Sequence, residues 1–242
     1  MAAPRKVKAI ISDIRRFEGN VTLYSLVTEV ACRFKPGQFL HLAIDPYDPS
    51  FNWPESRVFS IANAPDGGNN VEILISPKGA FTLRMINELK IGSQVWIKLP
   101  FGIFNFDAAA NKNVVLIAGG TGISPFISFL HSQLTNPLPF QSLTMYYGVR
   151  NPGLIIFDSL LKECSKKIVG FKLHIYCESE MTDNHKSLFK GILPVQEIVC
   201  NTSKITDLVY YLSGPVAMIG VFEKEMILHG IANHQILFDR WE

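Results

Sequence analysis

The rhythm of the sequence changes once, near Asn111. Ahead of it lie short segments that alternate apolar and polar residues: Val21 to Val30, Gln38 to Ile44, Arg57 to Ala62, Val71 to Ser76 and Gln94 to Leu99. Successive side chains of a strand point to opposite faces, so each segment buries one face, and evenly spaced short strands predict an antiparallel barrel or sandwich. Lys35-Pro36-Gly37, Asp45-Pro46, Asp48-Pro49 and the run Pro65-Asp66-Gly67-Gly68-Asn69-Asn70 supply the breaks. One helix is expected among them, from about Phe81 to Leu89.

Beyond Asn111, apolar strands alternate with helical stretches. Val114 to Ala118 leads into Pro125 to Gln133, Leu143 to Val149 into Phe157 to Lys166, and Leu173 to Cys177 into a helix near Pro194 to Val199. Val209 to Leu212 then leads into Val216 to Leu228, and Gln235 to Phe238 ends the pattern. Strands that alternate with helices form a parallel sheet covered on both faces. The fold class is therefore two-domain, an antiparallel β-barrel followed by a parallel-sheet α/β domain, with Asp107 to Lys112 as the linker.

Composition removes several function classes. Hydrophobic residues make up 48% and charged residues 18%, enough apolar material for two cores and too little charge for a disordered chain. Lys and Arg total 23 against 21 Asp and Glu, so no field is available to hold nucleic acid. Residues 1–10 carry Arg5, Lys6 and Lys8 without an apolar run behind them, and no stretch approaches the ~18 apolar residues of a membrane span, so a cytoplasmic protein is expected. Cys32, Cys164, Cys177 and Cys200 are far apart, without the spacing of zinc or iron-sulfur ligands, and read as reduced thiols. The six histidines are scattered, so no metal site is expected.

Four motifs carry chemistry. In Arg57-Val58-Phe59-Ser60, alternation puts Arg57 and Phe59 on one face and Val58 and Ser60 on the other; an arginine fork can clamp phosphate, an aromatic can stack on a flat ring, and a hydroxyl can reach a ring nitrogen. Lys78-Gly79-Ala80-Phe81-Thr82 stands where a strand gives way to a helix, whose free N–H groups favour an anion. Ala118-Gly119-Gly120-Thr121-Gly122-Ile123-Ser124-Pro125 follows a strand, with Ser124 placed to cap a helix and Pro125 to begin it. Its spacing is not the three-glycine dinucleotide fingerprint, yet it builds a helix entrance that a pyrophosphate can approach. Ser213-Gly214-Pro215 follows another strand, with Met218 one turn on. Taken singly, each of these also suits a plain strand or a plain turn.

Their order makes the chain resemble the ferredoxin-NADP reductase family along essentially its whole length. The resemblance implies an FAD-binding barrel over residues 1–108 and an NAD(P)-binding α/β domain over 112–242. It implies a flavin site in which Arg57 binds the phosphate, Phe59 packs on the isoalloxazine beside Val58, and Ser60 bonds near the reactive nitrogen. Lys78, Gly79, Ala80, Phe81 and Thr82 would hold the flavin pyrophosphate, and Gly119, Gly120, Thr121 and Gly122 the nicotinamide nucleotide, with Arg150 as a further contact. Ser213, with Gly214, Pro215 and Met218, would lie beside the nicotinamide where the family often has Cys-Gly-Pro. Ser60 and Ser213 are thus the catalytic candidates. Trp241 would match the terminal aromatic that some members stack on the flavin. NADP-using members carry Ser-Arg where this chain has Cys177-Glu178-Ser179-Glu180, so Glu178 favours NADH over NADPH.

The expected activity is an NAD(P)H-dependent flavoprotein reductase that passes electrons through FAD to a separate acceptor. That acceptor would be ferredoxin, flavodoxin, an oxygenase component or a small molecule. Two alternatives stay open, an NAD(P)H-dependent free-flavin reductase and a non-catalytic regulatory flavoprotein subunit.

Overall fold

A computed structural model describes residues 3–179 and 188–240. Two compact units emerge. One comprises the described residues up to Asn105 together with Ser124–Ser132; the other comprises Phe106–Ile123 and the described residues from Gln133 onward.

The first unit is built on strands β1 (Arg5–Arg16), β2 (Thr22–Thr28), β3 (Phe39–Ala43), β4 (Arg57–Ser60), β5 (Asn70–Ile75) and β6 (Gln94–Phe101), with helix α1 (Ala80–Glu88) between the last two. The strands form one antiparallel sheet in the order β4-β3-β6-β1-β2-β5. Its edges meet through a bridge between Ile61 and Ile73 and a bond from Ala62 N–H to Glu72 O (2.8 Å), so the sheet curls into a nearly closed barrel. Closure removes the open edges that a flat sheet exposes. Inside lie Val7, Ala9, Ile11, Leu40, Leu42, Ile73, Val95 and Ile97, with Phe81 and Met85 of α1 packed on them.

Strand β1 sits near the centre of this sheet and was not among the segments expected. Val7, Ala9 and Ile11 alternate with Lys6, Lys8 and Ile10, and the basic residues on the outward face obscure an inward face that is buried.

Beyond the barrel strands the chain forms β7 (Asn113–Gly119), α2 (Ser124–Thr135), β8 (Ser142–Val149), α3 (Asp158–Lys167), β9 (Phe171–Cys177), β10 (Leu188–Lys190), α4 (Val195–Thr202), β11 (Leu208–Ser213), α5 (Val216–Leu228) and β12 (Ile236–Asp239). Most of α2 groups with the barrel. The strands run parallel in the order β10-β9-β8-β7-β11-β12. Val114, Leu116 and Ala118 on one face of β7 and Val115 and Ile117 on the other are all buried, as a sheet covered on both sides requires. Asp107–Ala109, expected as linker, forms a 3-10 turn with Ala109 fully buried, and Phe106 stacks on Tyr211 at 4.6 Å. That stretch is docked, not open.

Helix α5 spans the expected Val216–Leu228, and the boundaries of the other helices differ from expectation by one to three residues. Gly120–Ile123 form a 3-10 turn that runs directly into α2, whose first residue is Ser124, so the helical entrance begins directly after β7. Strand β10, only three residues long, has no periodicity to read. No helix among the described residues is long and apolar enough to cross a membrane.

Candidate functional site

In the barrel, the register pairs Leu42 with Arg57 and Leu40 with Phe59, while Phe39 pairs with Ser60 and His41 with Val58. Paired residues share a face, so Arg57 and Phe59 lie on the side of the buried leucines and Val58 and Ser60 on the other, as alternation requires. Phe59 packs on the barrel core, and Ser60 is buried. Arg57 is at the rim. Its guanidinium reaches Glu55 (2.8 Å) and the carbonyl of Ser56 (2.9 Å), and its Cζ lies 5.1 Å from the centre of the Phe81 ring.

Phe81 is the second residue of α1 and is anchored in the core, so this contact brings the first two motifs together. The turn before α1 is fixed by Thr82, whose hydroxyl accepts from the N–H groups of Lys78 (3.0 Å) and Gly79 (3.2 Å) and donates to Gly79 O (3.1 Å). Thr82 therefore shapes the turn. The N–H groups of Ala80, Phe81 and Thr82 precede the first intrahelical bond, from Leu83 N–H to Gly79 O, and no acidic residue occupies the first turn. Lys78, Gly79 and Ala80 are exposed, and the space a Cβ on Gly79 would fill is open. An arginine beside a helix entrance with open backbone in front of it fits a phosphate.

Arg84 of α1 ties the helix to the loop between β3 and β4 through a two-pronged pair with Asp45 (2.9 and 3.3 Å). That hydrogen bonding holds the Asp45 carboxyl below its ordinary pKa.

In the second unit, β7 to β10 spread to one side and β11 and β12 to the other, so the strand order reverses between β7 and β11. Open parallel sheets bind ligands at the carboxyl ends of the strands at such a reversal. The third and fourth motifs meet there. A Cβ on Gly119 would lie 2.6 Å from the sulfur of Met218 and 2.9 Å from Pro215, and one on Gly122 would lie 2.6 Å from the Cα of Gly214 and against the Ser213 carbonyl. Gly119, Gly122 and Gly214 are thus glycines of close packing. Gly120 differs: its φ is +54° and it faces open space, leaving its backbone approachable. Thr121 lies between, half-buried.

Beside this corner, Ser179 N–H donates to Arg150 O (3.0 Å) and Glu178 N–H to Val149 O (3.1 Å), which sets Glu178 next to Arg150 at the ends of β9 and β8. Both side chains are exposed. Trp241 and Glu180 lie outside the described residues.

Two partners escaped the sequence reading. One is Glu55 on Arg57. The other is Asp239, which the β11–β12 register sets opposite Ser213; the serine hydroxyl, 1% exposed, donates to Asp239 Oδ2 at 3.0 Å, and the aspartate is 2% exposed. Neither pairing follows a sequence period. Ser213→Cys, which restores the residue common in the resembled family, is expected to cost about 1–3 kcal/mol because a thiol is a weak donor to a buried carboxyl group. Urea unfolding measures it, and an unchanged midpoint and slope would show that the hydroxyl does not hold Asp239.

Residues 116–224 match the family described as the oxidoreductase NAD-binding domain. Among curated relatives, the chain is 28% identical over 216 residues to the reductase component of propane 2-monooxygenase from Mycolicibacterium smegmatis, covering 85% of this chain and 58% of that protein. It is 24% identical over 215 residues to a flavohemoprotein of Rhizobium meliloti, covering 85% and 52%. The chain thus spans little more than half the length of these relatives. Among solved structures, an Amycolatopsis cytochrome P450 reductase superposes with a TM-score of 0.81 at 21% identity, covering 98% of this chain and 70% of that one. A ferredoxin NADP+ reductase from Neisseria gonorrhoeae with bound FAD and NADP superposes with a TM-score of 0.77 at 18% identity, covering 99% of each chain. Residues 116–224 of the second unit are thus similar to oxidoreductase NAD-binding domains, and the chain as a whole shares its two-domain fold with these solved reductases.

Proposed function

We propose that the chain is an NAD(P)H-dependent flavoprotein reductase that passes electrons through bound FAD to a separate acceptor such as a ferredoxin, a flavodoxin or an oxygenase component. The observation that carries this reading is the meeting of Arg57 with the entrance of α1 on the barrel, an arrangement suited to a phosphate in a fold shared with FAD/NAD-binding reductases. A relative named as the reductase component of a monooxygenase supports a separate acceptor. Four cysteines without disulfides fit a reducing compartment, the cytoplasm.

A bound flavin supplies the chemistry, taking a hydride from a nicotinamide and releasing electrons singly or as a pair. The protein's part is position. Arg57 and the first N–H groups of α1 hold the flavin phosphate, with Lys78 adding a cation beside them. Ser60, on the strand face opposite Phe59, would bring a hydroxyl near the ring system. Gly120 admits the nucleotide pyrophosphate to the helix entrance. Ser213, fixed by Asp239, positions Gly214 and Pro215 beside the nicotinamide, while Met218 packs under the loop.

Glu178 selects the donor. A 2'-phosphate brings up to two negative charges, and like charges at ~4 Å repel by about 1 kcal/mol in water and about 4 kcal/mol near a protein surface. Ribose hydroxyls can instead donate to the carboxylate. Arg150, alongside, meets either nucleotide. NADH is therefore expected to exceed NADPH in kcat/KM by several-fold or more, and Glu178→Ser with Ser179→Arg to reverse the preference.

One sample tests function and donor together. The purified protein is expected to show a flavin spectrum that bleaches on anaerobic addition of NADH, and less completely with NADPH. A colourless protein that consumes NADH only with added flavin would favour the free-flavin reductase, and a yellow protein that neither nucleotide bleaches would favour a non-catalytic subunit. Bleaching by NADPH first would show that Glu178 does not read the ribose.

A further inference from the structure

We propose that Glu55 is an internal competitor for the phosphate-binding arginine, an anion built into the chain that sets how loosely the flavin phosphate is held. The inference rests on the reading of Arg57 as that phosphate's partner.

Glu55 lies two residues ahead of Arg57, and its carboxylate is 2.8 Å from a guanidinium nitrogen, with both side chains about half exposed. A phosphate that approaches Arg57 meets a cation already neutralised by a neighbour of its own sign. Arg57 has five N–H donors. One reaches Glu55 and another the Ser56 carbonyl, which leaves fewer for a bidentate grip on a ligand.

The placement of Glu55 is imposed by its loop. Trp53 Nε1 donates to Ser56 Oγ (3.0 Å), holding the turn that contains Glu55. Trp53 and Trp96 both pack on Tyr47, with ring centres 5.1 and 5.4 Å away, and the Lys6 ammonium lies 4.5 Å from the Tyr47 ring centre. At the other end of the loop, Asp45 is gripped by Arg84 of α1, the helix whose entrance faces the arginine. The segment before β4 is therefore fastened to the barrel wall and to α1, and Glu55 is delivered to Arg57 by a fixed frame.

An exposed ion pair contributes about 0.2–1 kcal/mol, so freeing Arg57 from it is worth about 1.4-fold to fivefold in affinity. The experiment titrates flavin-free protein with FAD and, separately, with riboflavin, which lacks phosphate, and follows quenching of flavin fluorescence. Glu55→Gln keeps the size of the side chain and removes its charge. It is expected to tighten FAD binding about 1.4-fold to fivefold at low salt, with a smaller gain at high salt, and to leave riboflavin binding unchanged. In an Arg57→Ala background the same substitution is expected to have no effect on FAD. Weaker FAD binding by Glu55→Gln would overturn the proposal and make Glu55 a support that orients the arginine. Equal tightening toward riboflavin would overturn it too, since the phosphate would then not be what Glu55 opposes. If Arg57→Ala alone leaves FAD binding unaltered, the phosphate assignment itself is wrong, an outcome separate from failure of the Glu55 inference.

Discussion

Gly122→Ala is expected to destabilise the protein by about 3 kcal/mol, the upper part of the range for forcing an extra carbon into a packed site. The reason is what the new methyl would meet. A Cβ on Gly122 would lie 2.6 Å from the Cα of Gly214 and against the carbonyl of Ser213, which are backbone atoms of the adjacent strand end. A side chain can rotate away; a strand held on both sides, to β7 and to β12, cannot. At roughly 2–4 °C per kcal/mol for a chain of this length, Tm should fall by about 6–12 °C. Gly120→Ala is the comparison. Its methyl would enter open space, and the cost is that of a left-handed conformation, about 1 kcal/mol. A thermal melt in which Gly122→Ala matches the parent, or falls less than Gly120→Ala, would show that the corner is looser than its geometry requires.

That contrast also marks how far sequence reasoning reaches. Three glycines in four residues after an apolar strand announce a helix entrance, and the strand-helix alternation places that entrance at the carboxyl edge of a parallel sheet. Which glycine serves packing and which admits a ligand depends on Ser213, Gly214, Pro215 and Met218, about a hundred residues away and adjacent only because β11 lies beside β7. The partners Glu55 and Asp239 were hidden for related reasons. Asp239 meets Ser213 through sheet register, and Glu55 meets Arg57 through the course of an irregular loop, neither of which leaves a period in the sequence. Alternation along Arg57-Val58-Phe59-Ser60 did survive folding, since pairing with β3 fixes the faces. Strand β1 was concealed by its charges and β10 by its brevity. The 3-10 turn over Gly120–Ile123 reflects glycines that allow helical winding to start as soon as the strand ends.

Arg57→Ala is expected to weaken FAD binding at least tenfold, because charge-assisted hydrogen bonds of this type contribute about 1.5–3 kcal/mol. Binding should weaken without vanishing, since the N–H groups at the entrance of α1 stay in place. The helix start is set by Phe81 in the barrel core and by the Thr82 hydroxyl, neither of which needs the arginine. Stability should change by less than about 1 kcal/mol, because what the fold loses is an exposed ion pair with Glu55 and a contact over Phe81. Arg57→Lys should fall between the two, for an ammonium restores the charge but not the planar fork that grips two phosphate oxygens. The measurement is flavin retained by the loaded protein through repeated dilution and filtration, read as fluorescence released into the filtrate, beside a melt of each variant. Retention equal to the parent would remove Arg57 from the site, and flavin loss together with a collapsed melt would trace the loss to folding. The expected order of retention is arginine, then lysine, then alanine, at nearly constant Tm, because the guanidinium acts on the phosphate and the barrel does not depend on it.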